Sequence, residues 1–377
     1  MRKVHVIGGG SSDFAHHWDT PLVALAARAI RTALDDASIA REDIDCVFVG
    51  HMSQGELIGQ RLLRDLSFPE VPVVNVENAC ASGGTAVREA WLNIAAGAAD
   101  VALVLGVEKL AQKGLLRMPN PTLEERMGFI MPGSYALAGQ AHMTKFGTTP
   151  EQFAKIAVKN RNNGLLNPIA MFKKPCTLDD VLASRPVADP LTLLQCCAPA
   201  SGVAALILCS DAHARKLGSS RSALLAGSAL GSRMNRGVSG EEPAGFAPTA
   251  RAARSAYDIS GIGPDDVDIV ELHDAFSIGE LLHYESLSLC PQGEGGRLVD
   301  EGATEKGGRL PVNPSGGLLA RGHPVGATGV VQLVELRRQL LGEAGSLQAG
   351  SPKVALAQCQ GGTGTGAGAA VVTLLHR

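Results

Sequence analysis

Apolar and polar positions alternate along the first hundred residues in the rhythm of strands followed by helices. Val4–Ile7 is a short apolar run that ends in Gly8-Gly9-Gly10. Asp19-Thr20-Pro21 then offers two capping residues and a proline near the first helical turn, and apolar residues follow at 22, 23, 25, 26, 30 and 34. Ile44–Val49 reads as a strand, Glu56–Leu66 as a helix, and Val71–Val76 as a strand with Pro72 at its start. A helix over Thr85–Ala96 stops at Gly97, and Val101–Val107 is a continuous apolar run, hence a strand covered on both faces. The alternation predicts parallel β-α-β units with helices covering the sheet.

From Gly114 to about Gly202 the pattern loosens. Prolines and polar turns interrupt short helices such as Pro150–Asn162, and no buried strand is expected, so the stretch reads as an inserted, mostly helical subdomain. Apolar alternation resumes at Val203–Cys209. It continues through strands at Val267–Leu272, Val354–Cys359 and Ala367–Leu375 and helices at Ile278–Leu287 and Gly326–Leu341. The halves echo each other: a strand runs into Cys80-Ala81-Ser82-Gly83-Gly84 in one and into Cys359-Gln360-Gly361-Gly362 in the other. The expected division is 1–115 plus 203–245 as the first half, 116–202 as the insert, and 246–377 as the second half.

Composition narrows the function. Hydrophobic residues make up 45% of the chain, glycines number 45 and aromatics reach only 4%, which suits helix–sheet layers built on Ala, Val, Leu and Gly. A net charge of −3 leaves no basic footprint for nucleic acid. Apolar runs fall far short of the ~20 residues a membrane span needs. The four apolar or neutral residues after Met1-Arg2-Lys3 are too few for a secretory leader, so a soluble cytoplasmic protein is expected. Eight cysteines without a C-x-x-C pair argue against a structural zinc site, and no metal is expected. Most of them read as small buried hydrophobes.

Two cysteines carry more. Cys80 lies between a strand and a helix start, where unpaired N–H groups and the helix dipole favour a thiolate, by about 0.3–2 kcal/mol. That leaves the thiol only partly ionised at neutral pH, so a base must help. His323, on the glycine-flanked turn Gly322-His323-Pro324-Val325-Gly326, is the natural one. His273 and Cys359 each follow or end a strand, where ligand sites of open α/β sheets gather, and Gly361 offers a backbone N–H there.

These segments resemble the thiolase family over nearly the whole chain, most closely its sterol-carrier-protein-type branch and archaeal and bacterial relatives. The resemblance rests on Asn78-Ala79-Cys80-Ala81-Ser82-Gly83, His273-Asp274-Ala275-Phe276, Asn313-Pro314-Ser315-Gly316-Gly317, Gly322-His323-Pro324-Val325-Gly326-Ala327-Thr328-Gly329 and Cys359-Gln360-Gly361-Gly362, in the family's order. It implies a thiolase fold of two duplicated halves in α/β/α/β/α layers. It implies Cys80 as the nucleophile that takes the acyl group, His323 as its activator and Cys359 as the acid/base on the α-carbon or leaving thiol. His273 would join His323 in holding the thioester oxygen. The N–H groups of Cys80 and Gly361 would form a second oxyanion hole, and Ser315 and Gly316 would contact coenzyme A. It further implies acyl-CoA and CoA as substrates and products with no permanently bound cofactor, at least a homodimer, and a small zinc-ribbon/OB-fold partner protein.

Three departures from the family stand out. Ala275 replaces a cysteine common in that branch, leaving Cys359 as the one base cysteine; Ser201-Gly202-Val203 stands where the family has Asp-Gly-Ala; and the chain ends at Arg377, with no fused sterol-carrier domain expected. Ketoacyl-synthase-like and aldolase-type enzymes on the same fold are the rival readings, followed by a non-catalytic acyl-binding subunit. Lysines and arginines at 109–117 and 155–161 are weak candidates for the CoA phosphates.

Overall fold

Strands form where the apolar runs lie, and their order records an internal repeat. The computed structural model describes residues 1–110, 123–218, 221–233, 246–362 and 368–377. Its strands are β1 (Val4–Ser11), β2 (Cys46–Gly50), β3 (Val73–Val76), β4 (Val101–Glu108), β5 (Pro186–Ala188), β6 (Leu191–Thr192), β7 (Gly202–Ser210), β8 (Ala223–Arg233), β9 (Ile269–Glu271), β10 (Val354–Gly362) and β11 (Gly368–His376). Nine of them form one sheet in the order β3-β2-β4-β7-β1-β8-β11-β10-β9. In the first half β2 runs parallel to β3 and β4, while β4–β7 and β7–β1 are antiparallel. The second half repeats this: β9 is parallel to β10 and to a bridge at Val312, while β10–β11 and β11–β8 are antiparallel. The halves join where β1 meets β8 through the pairs His5↔Leu224 and Val6↔Ala223.

Period-two alternation sorts each strand's side chains between layers. Ile7, Val47, Leu103 and Ile207 face outward onto Leu25, Ala29 and Ala33 of the helix Leu22–Ala37. Val6, Phe48, Val104 and Leu206 face inward, where the helices Ser82–Ala96 and Thr328–Leu341 form a central layer shared with Ala355, Ala357 and Leu375 of the second half. Val270, Leu356 and Leu374 pack outward against the helices Phe246–Ser260 and Ser277–Ser286. The result is the expected helix–sheet–helix–sheet–helix stack.

Two details differ from expectation. The insert carries the ribbon β5–β6 with Leu191 buried, where no buried strand was expected. The first central helix starts at Ser82 rather than Thr85, because Gly83 and Gly84 have low helix propensity and tertiary packing overrides it. The described part of the last strand starts at Gly368; residue 367, the expected start, lies outside the described residues.

The central helices meet glycine on glycine. A Cβ on Gly83 would lie 2.4 Å from the Gly326 carbonyl, one on Gly106 equally close to the same oxygen, and one on Gly329 2.3 Å from the Gly84 nitrogen. Backbone here cannot yield as a flexible side chain would. Gly83→Ala is therefore expected to lower unfolding free energy by about 1–3 kcal/mol or more, read as a drop in the urea midpoint. Gly307→Ala, which meets open space, should leave that midpoint nearly unchanged.

Candidate active site

Cys80 sits on a tight elbow between β3 and the first central helix. Ala79 takes a left-handed φ of 49°, an unusual state for a residue with a Cβ. Ser82 holds it: its Oγ accepts from the Asn78 N–H at 2.8 Å and donates to the Ala79 carbonyl at 2.6 Å. The elbow aims Cys80 into the interior. Burial, seconded by the Glu108 carboxylate, pushes its thiol up to about 12. The helix start expected to lower it is present, but desolvation outweighs the dipole.

His323 leaves its loop beside this thiol. Gly322, at φ 84°, makes the turn, and the His323 N–H donates to the Ala198 carbonyl at 2.8 Å. The ring Nδ1 lies 2.8 Å from Thr328 Oγ1, whose own proton goes to the Pro324 carbonyl at 3.1 Å. Thr328 must therefore accept from Nδ1–H, which leaves Nε2 as the bare, basic nitrogen. Nε2 is buried and has no hydrogen-bond partner among the described residues. Burial and the Arg321 charge pull this imidazole down to about 3. Glu108, at the end of β4, braces the loop by accepting from Gly326 N–H at 3.0 Å and from Met52 and Ser53 N–H at 3.1 Å each.

The other expected residues close the cleft. One ligand atom each from Cys80, His273 and His323 lies within 4.8 Å of the others, and the two imidazole rings meet edge to face with centroids 5.1 Å apart. Cys359 Sγ lies 3.8 Å from His273 Nδ1 and donates to the Cys80 carbonyl at 2.9 Å. Burial raises the Cys359 thiol and lowers His273, with the neighbouring His323 and His283 adding to the latter. Gly361 passes so close to the elbow that a Cβ would lie 2.5 Å from the Cys80 nitrogen. Two neutral thiols and two neutral imidazoles thus face one another with slack of the kind that tightens on substrate binding. The Cys–His–His trio has donors suited to a thiophilic cation, although the sequence implies no metal.

Ser315 and Gly316 do not join this group. The Ser315 hydroxyl is fixed between Glu271 Oε2 at 2.7 Å and Arg321 at 2.8 Å, and a Cβ on Gly316 would strike the Gly164 backbone at 2.6 Å. Their contacts favour bracing the His323 loop over the coenzyme-A role expected from sequence. Lys155 pairs with Asp300, Lys159 is buried on Glu280 at 2.5 Å, and Arg161 donates to the Leu194 carbonyl, so these cations are engaged within the protein. Lys109 donates to the His17 carbonyl, while Lys113 and Arg117 lie outside the described residues. Asp274, for which sequence names no partner, accepts from Asn160 and from the Leu318 and Leu319 N–H groups. Thr328 and Glu108 escape sequence reasoning, although Thr328 stands inside the glycine–histidine motif, five residues past His323.

Two thiols and two imidazoles thus gather in one closed cleft, groups of the kind that cysteine-dependent acyl transfer requires. Residues 4–211 match the thiolase N-terminal domain and residues 232–374 the thiolase C-terminal domain-like family. The chain is 38% identical to the benzoylsuccinyl-CoA thiolase subunit BbsB of Thauera aromatica over 96% of its length and 95% of that protein's. It is 36% identical to an acetyl-CoA acetyltransferase of Methanothermobacter thermautotrophicus, covering 100% of both. Among solved structures, an Ltp2-ChsH2(DUF35) aldolase superposes with a TM-score of 0.83 at 26% identity, over 98% of this chain and 97% of that one. The chain belongs to the thiolase family and is an acyl-CoA acyltransferase.

A thiol near 12 is protonated at neutral pH and forms thiolate in proportion to pH. Alkylation of Cys80 by iodoacetamide, followed by peptide mass, should rise about tenfold per unit from pH 7 to 9. A plateau there would mean a resting thiolate–imidazolium pair. Thr328→Val, which frees the ring to take the wrong tautomer, should lower kcat by about 10–100-fold, part of the 10²–10⁴ a positioned base supplies.

Proposed function

We propose that the chain works as a thiolase through Cys80, cleaving 3-oxoacyl-CoA or running the reverse Claisen condensation. The observation that carries this is the convergence of Cys80, His273 and His323 within 4.8 Å, with the basic nitrogen of His323 unpartnered and Cys359 against His273. In the synthetic direction His323 Nε2 takes the Cys80 proton as Sγ attacks the thioester carbonyl. CoA leaves with that proton, and Cys80 holds the acyl group as a thioester. Cys359 then passes its proton to His323 Nε2 and, as a thiolate, removes the α-proton of a second acyl-CoA, whose enolate oxygen rests on His273 and the new His323 Nε2–H. The enolate carbon bonds to the acyl carbonyl, whose oxyanion the N–H groups of Cys80 and Gly361 take, a donor type worth roughly 2.7–4 kcal/mol in proteases; the carbon–sulfur bond to Cys80 then breaks and its sulfur takes the proton from His323. His323 thus alternates between a neutral acceptor and a protonated donor at Nε2, while His273 stays neutral.

The reading extends to the assembly. β3 is a sheet edge with Val74 46% exposed, the kind of open edge a second copy covers, which supports a homodimer. The structural similarity to an Ltp2-ChsH2(DUF35) aldolase supports a small zinc-ribbon/OB-fold partner. None of the helices among the described residues is long and apolar enough to cross a membrane, in keeping with a cytoplasmic placement. The repeated strand order groups β8 with the second half, so we place the change of halves between β7 and β8 rather than after residue 245, with 116–202 as the insert.

Intact mass after incubation with a panel of acyl-CoAs tests the chemistry. The wild type should gain one acyl group, and Cys80→Ser should gain none. Cys359→Ala should still acylate yet lose condensation and thiolysis; full turnover by that variant removes Cys359 from the mechanism.

A further inference from the structure

Aromatic residues are scarce in this chain, with 9 Phe, 3 Tyr and 2 Trp, yet three of them meet beside the thiols. Tyr135, on the insert helix Met131–Phe146, has its ring centroid 4.6 Å from that of Phe276, and Phe246 meets it edge-on at 6.2 Å. The Tyr135 ring is set against the catalytic backbone. A Cβ on Gly279 would lie 2.9 Å from that ring and 3.7 Å from the His273 carbonyl, so both flank one glycine. The phenol meets the side chain of Gln360, the neighbour of Cys359, and the Cys80, Cys197 and Cys359 thiols lie in its neighbourhood. From Gln360 a polar chain leads back to the site. Its Oε1 accepts from Thr249 Oγ1 at 3.2 Å, Thr249 accepts from Gln358 Nε2 at 3.0 Å, and Gln358 Oε1 accepts from the His273 N–H at 3.0 Å. Tyr135 and Phe246 keep 8% exposure and Phe276 6%, close to the 8% of Cys80, whereas the interior rings Phe153 and Tyr284 are fully closed.

We infer that Tyr135, backed by Phe276, is the acyl-selecting wall of the cleft and that it receives an acyl group with a flat aromatic end, an aroyl-CoA. The inference rests on Cys80 being the acyl acceptor proposed above. A ring offers another ring an edge-to-face or offset contact that a saturated chain does not match. The hydrogen bond to Gln360 holds the phenol in one place, so the wall is formed before the ligand arrives. In the step it serves, His323 takes the Cys80 proton and Sγ attacks the aroyl carbonyl. The carbon–sulfur bond to Cys80 forms, the one to CoA breaks, and the departing CoA sulfur takes the proton from His323.

Rapid-quench intact mass on the full chain, with benzoyl-CoA and acetyl-CoA as separate probes, tests this in wild type, Tyr135→Phe and Tyr135→Ala. Benzoyl-CoA should acylate the wild type. Tyr135→Ala should lower the ratio of the benzoylation rate to the acetylation rate by about tenfold. Tyr135→Phe, which keeps the ring, should retain most of the benzoyl rate. Equal slowing of both probes in Tyr135→Ala would mark a purely structural residue and overturn the inference. Acetylation of the wild type without benzoylation would overturn it too while leaving Cys80 as acyl acceptor; acylation by neither probe would overturn both.

Discussion

The site exists because two polypeptide backbones come closer than any side chain would permit. At the crossing of Gly83, Gly106, Gly326 and Gly329, hypothetical Cβ atoms fall 2.3–2.4 Å from backbone atoms of the opposing segment. That contact brings the elbow of one half against the histidine loop of the other. Gly361 repeats the device one strand away, lying flush on the Cys80 nitrogen. Glycines supply no energy of their own here. They set the spacing from which the chemistry follows.

Spacing alone would not keep such loops in place, and buried carboxylates do that work. Glu108 collects N–H groups from residues 52, 53 and 326, so the end of one strand ties together two loops from different halves. Glu271 and Arg321 grip Ser315, while Glu280 takes Lys159, Asn160 and Asn313. Such groups bring little net stability when intact, yet removing one partner strands the other in a dry interior, which costs about 3–5 kcal/mol. They secure geometry. The same dryness that makes them costly raises the Cys80 and Cys359 thiols and lowers the two imidazoles, which favours the neutral form of each.

Much of this was legible in the sequence, and the parts that were not share a cause. The apolar runs at 101–107 and 203–209 declared their strands, and the ordered motifs named Cys80, His273, His323 and Cys359 as chemistry-bearing. The ionisation of Cys80 is not legible in the same way, because helix position is visible in a sequence whereas desolvation depends on what the folded chain stacks above the thiol. The resemblance points Ser315 toward coenzyme A; the partners of its hydroxyl, Glu271 and Arg321, are not legible from the motif because Glu271 lies 44 positions earlier in the chain. The helix start at Ser82 was hidden by its own glycines. Thr328 is a single hydroxyl with no sequence signature of its own, although it fixes which nitrogen of His323 is basic.

The hydrogen bond from Cys359 to the Cys80 carbonyl spans 279 residues of chain. A ribosome therefore exposes the first thiol long before the strand that completes its surroundings has been made. Until β10 emerges, the nascent polypeptide lacks the second thiol and Gly361, although both imidazoles, at 273 and 323, have already been made. The cleft takes its full shape only when the last two strands join the sheet, because β10 carries both Cys359 and Gly361.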